Sequence, residues 1–266
     1  MLNLEDQYQE NKNNFEEINN NLEKLGDISY TPIKKDDKND GKLPFMTKLI
    51  IFLCGFSYTG FLLLQLIWLI ILGNIFEDKN AANVAILTGT YLTLFVIMIA
   101  FAIKNKKYFL SKIKDPTKYL YGLLFGVVTI GIEIIVSYII QSICPSDVNA
   151  NQQTVIDFTT SYPTLMFFIT VLVGPLCEEF TYRVGLYELL KEKNETLAFI
   201  LTSIIFAFIH IQFTDTTFLA EITALPVYLT IGFCLTYGYK LYGLPCSYVA
   251  HAFLNLISFL SIFAQI

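Results

Sequence analysis

The chain has 266 residues, 54% of them hydrophobic and only 15% charged, with a formal net charge of −5. Mean hydropathy is +0.53 even though the N-terminal segment is strongly polar. This profile excludes a soluble domain built on one large core, and the small negative charge gives no reason to expect a nucleic-acid partner.

The opening segment, 1–45, is rich in Asn, Glu and Lys and is expected to be a polar cytoplasmic tail, partly disordered or carrying one short helix. Phe15, Ile18, Leu22 and Leu25 follow a 3-4-3 spacing that suits one amphipathic helix for a partner or the membrane surface. No apolar run begins before Lys48, so no secretory signal is expected. Residues 46–266 read as a transmembrane domain. Apolar runs lie at 49–76, 84–103, 119–143, 164–190, 197–213, 222–239 and 243–264. The fold class is therefore all-α, a polytopic transmembrane helical bundle of about seven spans, with six to eight as the range. The five cysteines, Cys54, Cys144, Cys177, Cys234 and Cys246, lie in or beside these runs without metal or disulfide spacing and read as packing residues.

Lysines set the expected orientation. Lys34 to Lys48 precede the first span, Lys104 to Lys118 fill the second loop, Lys191 and Lys193 the fourth, and Lys240 the sixth. The opposite side has Lys79 beside Glu77 and Asp78. By the positive-inside rule the N-terminus is cytoplasmic and the C-terminus is outside, in an integral multi-pass membrane protein.

Within this frame a few charges stand out. The fourth run contains "GPLCEEFTYR", with Glu178, Glu179 and Arg183; the fifth ends in "FAFIH", with Phe206 and His210; the seventh contains "HAFLN", with His251 and Asn255. Arg183 is the sole arginine, and the two histidines are the only ones in the chain. Ionisable groups inside a bilayer are costly, so they face a protein interior or a wet cavity and mark function. Glu179 and Arg183 share a helix face at i,i+4 while Glu178 projects about 100° away, free to meet another helix. Measured from the cytoplasmic ends of their spans, Glu178, His210 and His251 lie at about 18, 20 and 12 Å, which suits one shared cavity. Gly174 and Pro175 just before the glutamates are expected to kink the helix. Glu133 is a further intramembrane carboxylate, for packing, for lining the cavity or for contacting substrate.

The order E-E-x-x-x-R, F-x-x-x-H and H-x-x-x-N on three spans resembles the CPBP family of intramembrane proteases, which includes the type II CAAX prenyl endopeptidases and the Abi bacteriocin-processing and self-immunity proteins. The resemblance covers roughly residues 119–264 and includes the approach "GLPCSYVAHAFLN". It implies hydrolysis of a peptide bond in a membrane-associated peptide or protein, with catalytic helices 4, 5 and 7. Carried over, Glu178 and His210 activate water, His251 and Asn255 steady the oxyanion, and Glu179, Arg183 and Phe206 support them. Cofactors stay open between none and Zn2+. In a zinc site Glu178, His210 and His251 would be the ligands with Glu179 as base, although the expected pairing of Glu179 with Arg183 argues against that. The alternatives are a catalytically silent scaffold or immunity protein of the same fold, and a transporter, which would favour inverted repeats.

Overall fold

The computed structural model describes residue 12, residues 41–212 and residues 218–265. The chain divides into Met1–Lys42 and Leu43–Ile266, and the second unit holds every helix discussed below. The expected amphipathic helix around Phe15 to Leu25 lies outside the described residues, as does Phe213 at the end of the fifth apolar run.

The helices are α1 (Phe45–Gly55), α2 (Gly60–Leu72), α3 (Lys79–Lys104), α4 (Lys106–Ile113), α5 (Thr117–Ile143), α6 (Ala150–Ser161), α7 (Pro163–Leu190), α8 (Glu195–Phe208), α9 (Phe218–Tyr242) and α10 (Leu244–Phe263). No strand occurs among the described residues. This is an all-α bundle. Among the described residues five helices, α3, α5, α7, α9 and α10, are long and apolar enough to cross a membrane, and α1 with α2 make a sixth if that bent pair is one span.

Two expected spans differ in detail. The first run is not one helix: it breaks between Gly55 and Gly60 with a bend of 46°. There the Thr59 hydroxyl donates to Leu53 O at 2.6 Å, capturing a carbonyl that a continuing helix would have used. Gly55 is needed at this corner because a Cβ there would collide with Thr181 on α7. The fifth run is helical but only 14 residues long, about 21 Å at 1.5 Å per residue, which falls short of a hydrocarbon core of about 30 Å. It ends at Phe208.

The span α7 is the axis of the fold. Half of its apolar window is buried, against 11% for the outermost α5, and α1, α3, α8 and α10 all pack on it. Phe180, Val184 and Tyr187 pack with Ile51, Leu94 and Phe109 on one side, while Tyr182 and Leu186 pack with Phe206, Leu235 and Leu254 on another. Lipid supplies no hydrophobic drive between helices, so close fit must hold them. The expected kink at Gly174-Pro175 is absorbed in another way. Residues Phe167–Val173 form a π-helical stretch, and the Gly174 N–H reaches back five residues to Ile169 O. The wider turn accommodates the missing proline donor while α7 continues. A second π stretch, Phe180–Tyr187, follows the glutamates directly.

Lysines gather at one end. Lys112 on α4, Lys118 at the start of α5, Lys191 just after α7 and Lys240 near the end of α9 line a single cleft. Lys48 lies inside α1 and is only 1% exposed, donating to Glu188 O at 3.1 Å and pairing with Glu192 at 2.6 Å. In the same region Asp115 lies just before α5; bonds from the Thr117 hydroxyl and N–H hold its carboxyl below the usual range. All five cysteines are free.

Candidate active site

Glu178 and Glu179 close the α-helical turn of α7 that lies between its two π stretches. The turn sends their side chains in different directions. Glu179 is completely buried, and its Oε1 meets Arg183 Nη1 at 3.3 Å and His251 Nδ1 at 3.0 Å. The Arg183 guanidinium is equally buried and lies over the Phe206 ring, 4.5 Å from the centroid, so the cation has a carboxylate on one side and a π face on the other. Glu178 instead faces the interior cavity. Its Oε1 accepts a hydrogen bond from the Tyr91 hydroxyl of α3 at 3.2 Å. Its Oε2 is buried without a hydrogen-bond partner among the described residues.

Both imidazoles point at that oxygen: His210 Nε2 lies 4.0 Å and His251 Nε2 3.8 Å from Glu178 Oε2. Their orientation follows from what their other nitrogens touch. His210 does not sit on α8 as the F-x-x-x-H spacing suggested, because the helix ends at Phe208. The His210 N–H bonds Ala207 O at 3.1 Å, a tighter turn than α. This frees Phe206 O, which lies 2.8 Å from His210 Nδ1. A carbonyl only accepts, so Nδ1 carries the proton, and a neutral ring then presents a bare Nε2 to Glu178. In His251 it is the Glu179 carboxylate that accepts from Nδ1. Four residues on, Asn255 donates from Nδ2 to Thr170 O at 2.7 Å, leaving its second amide hydrogen for the cavity it lines.

The cavity has a volume of about 940 Å³ and is lined by Glu178, His210, His251 and Asn255 together with Glu133 on α5. It extends to Asn83 and to Ser146 and Gln152, in the connection between α5 and α7. All seven motif residues thus come together, and Glu133 faces the same space. Sequence reading passed over Tyr91 on Glu178, Tyr228, whose ring stacks on His210 at 4.7 Å, and the buried Glu221 near the start of α9. Glu221 carried a usable signal, a carboxylate in an apolar run; Tyr91 and Tyr228 carried none among 16 tyrosines.

A zinc reading would use Glu178, His210 and His251, and anchored Nδ1 atoms are usual for metal-bound histidines. Among the described residues, however, no group of three such side chains is spaced to hold a metal ion.

The family described as type II CAAX prenyl endopeptidase Rce1-like matches residues 160–257. No curated protein and no solved structure matches the chain. The matched segment runs from the end of α6 through the H-x-x-x-N motif and includes all seven motif residues, while Tyr91 and Glu133 lie before it. That segment belongs to the Rce1-like type II CAAX prenyl endopeptidases, a family of intramembrane CAAX proteases, and the chain that carries it is a multi-pass integral membrane protein.

Proposed function

We propose that the chain hydrolyses a peptide bond in a membrane-associated peptide or protein, by water activated at Glu178 and without a metal. The observation that carries this reading is the unpartnered Oε2 of Glu178, faced by two imidazole nitrogens at 4.0 and 3.8 Å on the wall of a large cavity. A water seated among these atoms can give one hydrogen to the carboxylate and hold the other toward His210 Nε2. Glu178 takes the proton as the water oxygen attacks the scissile carbonyl carbon. The oxyanion that forms lies toward the free amide hydrogen of Asn255 and toward His251. That role uses an Nε2–H on His251 in addition to the Nδ1–H that Glu179 accepts. Collapse expels the amine, which leaves with the proton held by Glu178. Tyr91 fixes the carboxylate plane from α3.

With the lysine-rich end on the cytoplasmic side, the cavity extends to the other side through Asn83 and Gln152. The test is proteolysis in lipid vesicles, using the whole membrane-peptide fraction of the producing cells as substrate and reading new termini by mass spectrometry. The native chain is expected to generate new termini. Glu178→Gln, folded to the same yield, is expected to lower their rate of appearance at least about a hundredfold. Equal cleavage by both would refute the assignment, and binding without cleavage by the native chain would favour a silent scaffold.

A further inference from the structure

His210 lies on a stretch of chain with no helix of its own. Beyond Phe208 the backbone turns through Ile209, His210 and the buried Ile211 to Gln212, and irregular backbone next to apolar helices persists only if protein or water satisfies its polar groups. Here side chains do so. Asn149 donates from Nδ2 to His210 O at 3.1 Å. The Gln212 N–H donates to Glu221 Oε2 at 3.0 Å, and the other oxygen of the same carboxylate accepts from Ala150 N at 2.8 Å. Ala150 is the first residue of α6, so the Glu221 carboxylate sits against the positive end of that helix. The Asn149 Oδ1 caps α6 through Gln152 N at 3.2 Å and also faces the Tyr228 hydroxyl at 3.4 Å. The Tyr228 ring then stacks on the His210 imidazole, centroids 4.7 Å apart and planes 18° from parallel. Asn149 is 4% exposed and Glu221 fully buried.

We propose that Glu221, Asn149 and Tyr228 are positioning residues for His210, clamping the N-terminus of α6 to the unwound turn so that the imidazole keeps its Nδ1–H on Phe206 O and its Nε2 toward Glu178. Without the clamp the turn and the ring can rotate together, and Nδ1 loses its acceptor. This rests on the role given to His210 above, but its signature does not require cleavage. The bond made by one ring nitrogen decides which nitrogen carries the proton, and with only two histidines in the chain, 15N-histidine labelling reports on both imidazoles without crowding.

The experiment is 15N NMR of the labelled full chain in lipid nanodiscs, with His210 assigned by the loss of its signals in His210→Gln. The native ring is expected to be a single Nδ1–H tautomer. Asn149→Ser keeps an oxygen to cap α6 but removes the donor to His210 O, and Glu221→Gln replaces one of two acceptors with a donor. Each is expected to lower the Nδ1–H population of His210 to about half or less while leaving His251 unchanged. Ser146→Ala removes the bond to the Thr223 hydroxyl in the same connection, 2.6 Å long, and is expected to change nothing at His210. The proposal is overturned if the native ring is not a single Nδ1–H tautomer, if folded Asn149→Ser keeps the native signature, or if Ser146→Ala disturbs His210 as much. Tautomer loss in a chain that cleaves nothing would leave the clamp standing and remove the protease reading instead.

Discussion

Glu179 has two partners, and replacing it with glutamine separates their effects. Its Oε1 is 3.3 Å from Arg183 Nη1 and 3.0 Å from His251 Nδ1, and all three side chains are at least nine-tenths buried. Removing the carboxylate charge takes away the guanidinium's paired anion and leaves it the Phe206 ring and the Glu178 carboxylate beyond, and breaking a buried pair in this way costs about 3–5 kcal/mol. Glu179→Gln is therefore expected to lose most of its folded yield in detergent. The double variant Glu179→Gln with Arg183→Met removes both charges and should recover most of that yield, because exchange of a whole buried pair for apolar volume is near neutral. Turnover per folded molecule should not recover. His251 would face a neutral amide in place of a carboxylate, and since charge-assisted bonds are roughly twice as strong as neutral ones, at least about a tenfold loss is expected, more if the amide N–H forces the other tautomer. The assay pairs folded yield, read by size-exclusion chromatography after heating, with cleavage rate per folded molecule in vesicles. A double variant that cleaves at the native rate would refute the idea that Glu179 orients His251. A single variant as stable as the native chain would refute the pairing energy.

Tyr91→Phe removes the hydroxyl 3.2 Å from Glu178 Oε1 and should lower turnover about tenfold with folding intact, a charge-assisted bond being worth about 1.5–3 kcal/mol; an unchanged rate means that the carboxylate is held by other contacts. Cleavage is expected to survive exhaustive chelation, and loss of activity restored by stoichiometric zinc would instead require Glu178, His210 and His251 to close around an ion. A cysteine placed at Ser111, between Lys107 and Lys112 in a background without the five native cysteines, should react with an impermeant reagent in inside-out vesicles and not in intact cells; the reverse pattern would invert the topology.

The sequence made the bundle legible because membrane helices announce themselves by length and hydropathy, and the charged residues inside them could be picked out against that background. Spacing also paired Glu179 with Arg183 and turned Glu178 away, and both relations hold in α7 even though its flanking turns are π-helical. Hydropathy could not show where helices stop within an apolar run. It read 49–76 as one helix and 197–213 as a span, whereas the first bends at Gly55 to Gly60 and α8 ends at Phe208. Apolar side chains continue across both breaks, and the polar groups that stabilise them come from elsewhere in the chain or from a single threonine.

The early end of α8 is what makes its histidine useful. In a continuous helix the His210 N–H would bond Phe206 O, and the Nδ1 proton would have no backbone acceptor there. Because the turn tightens, His210 N takes Ala207 O and Phe206 O is left for Nδ1 at 2.8 Å. The backbone freed below this turn is then held by Asn149 and Glu221, residues separated from it in sequence and brought back by α6 and α9. A four-residue spacing of Phe and His is compatible with either arrangement, so the motif marks the residues but not the break. The break is a property of packing: a 14-residue helix can end short of a membrane's thickness only where other elements offer donors and acceptors to its last turn. In this chain those elements converge on the imidazole that faces Glu178.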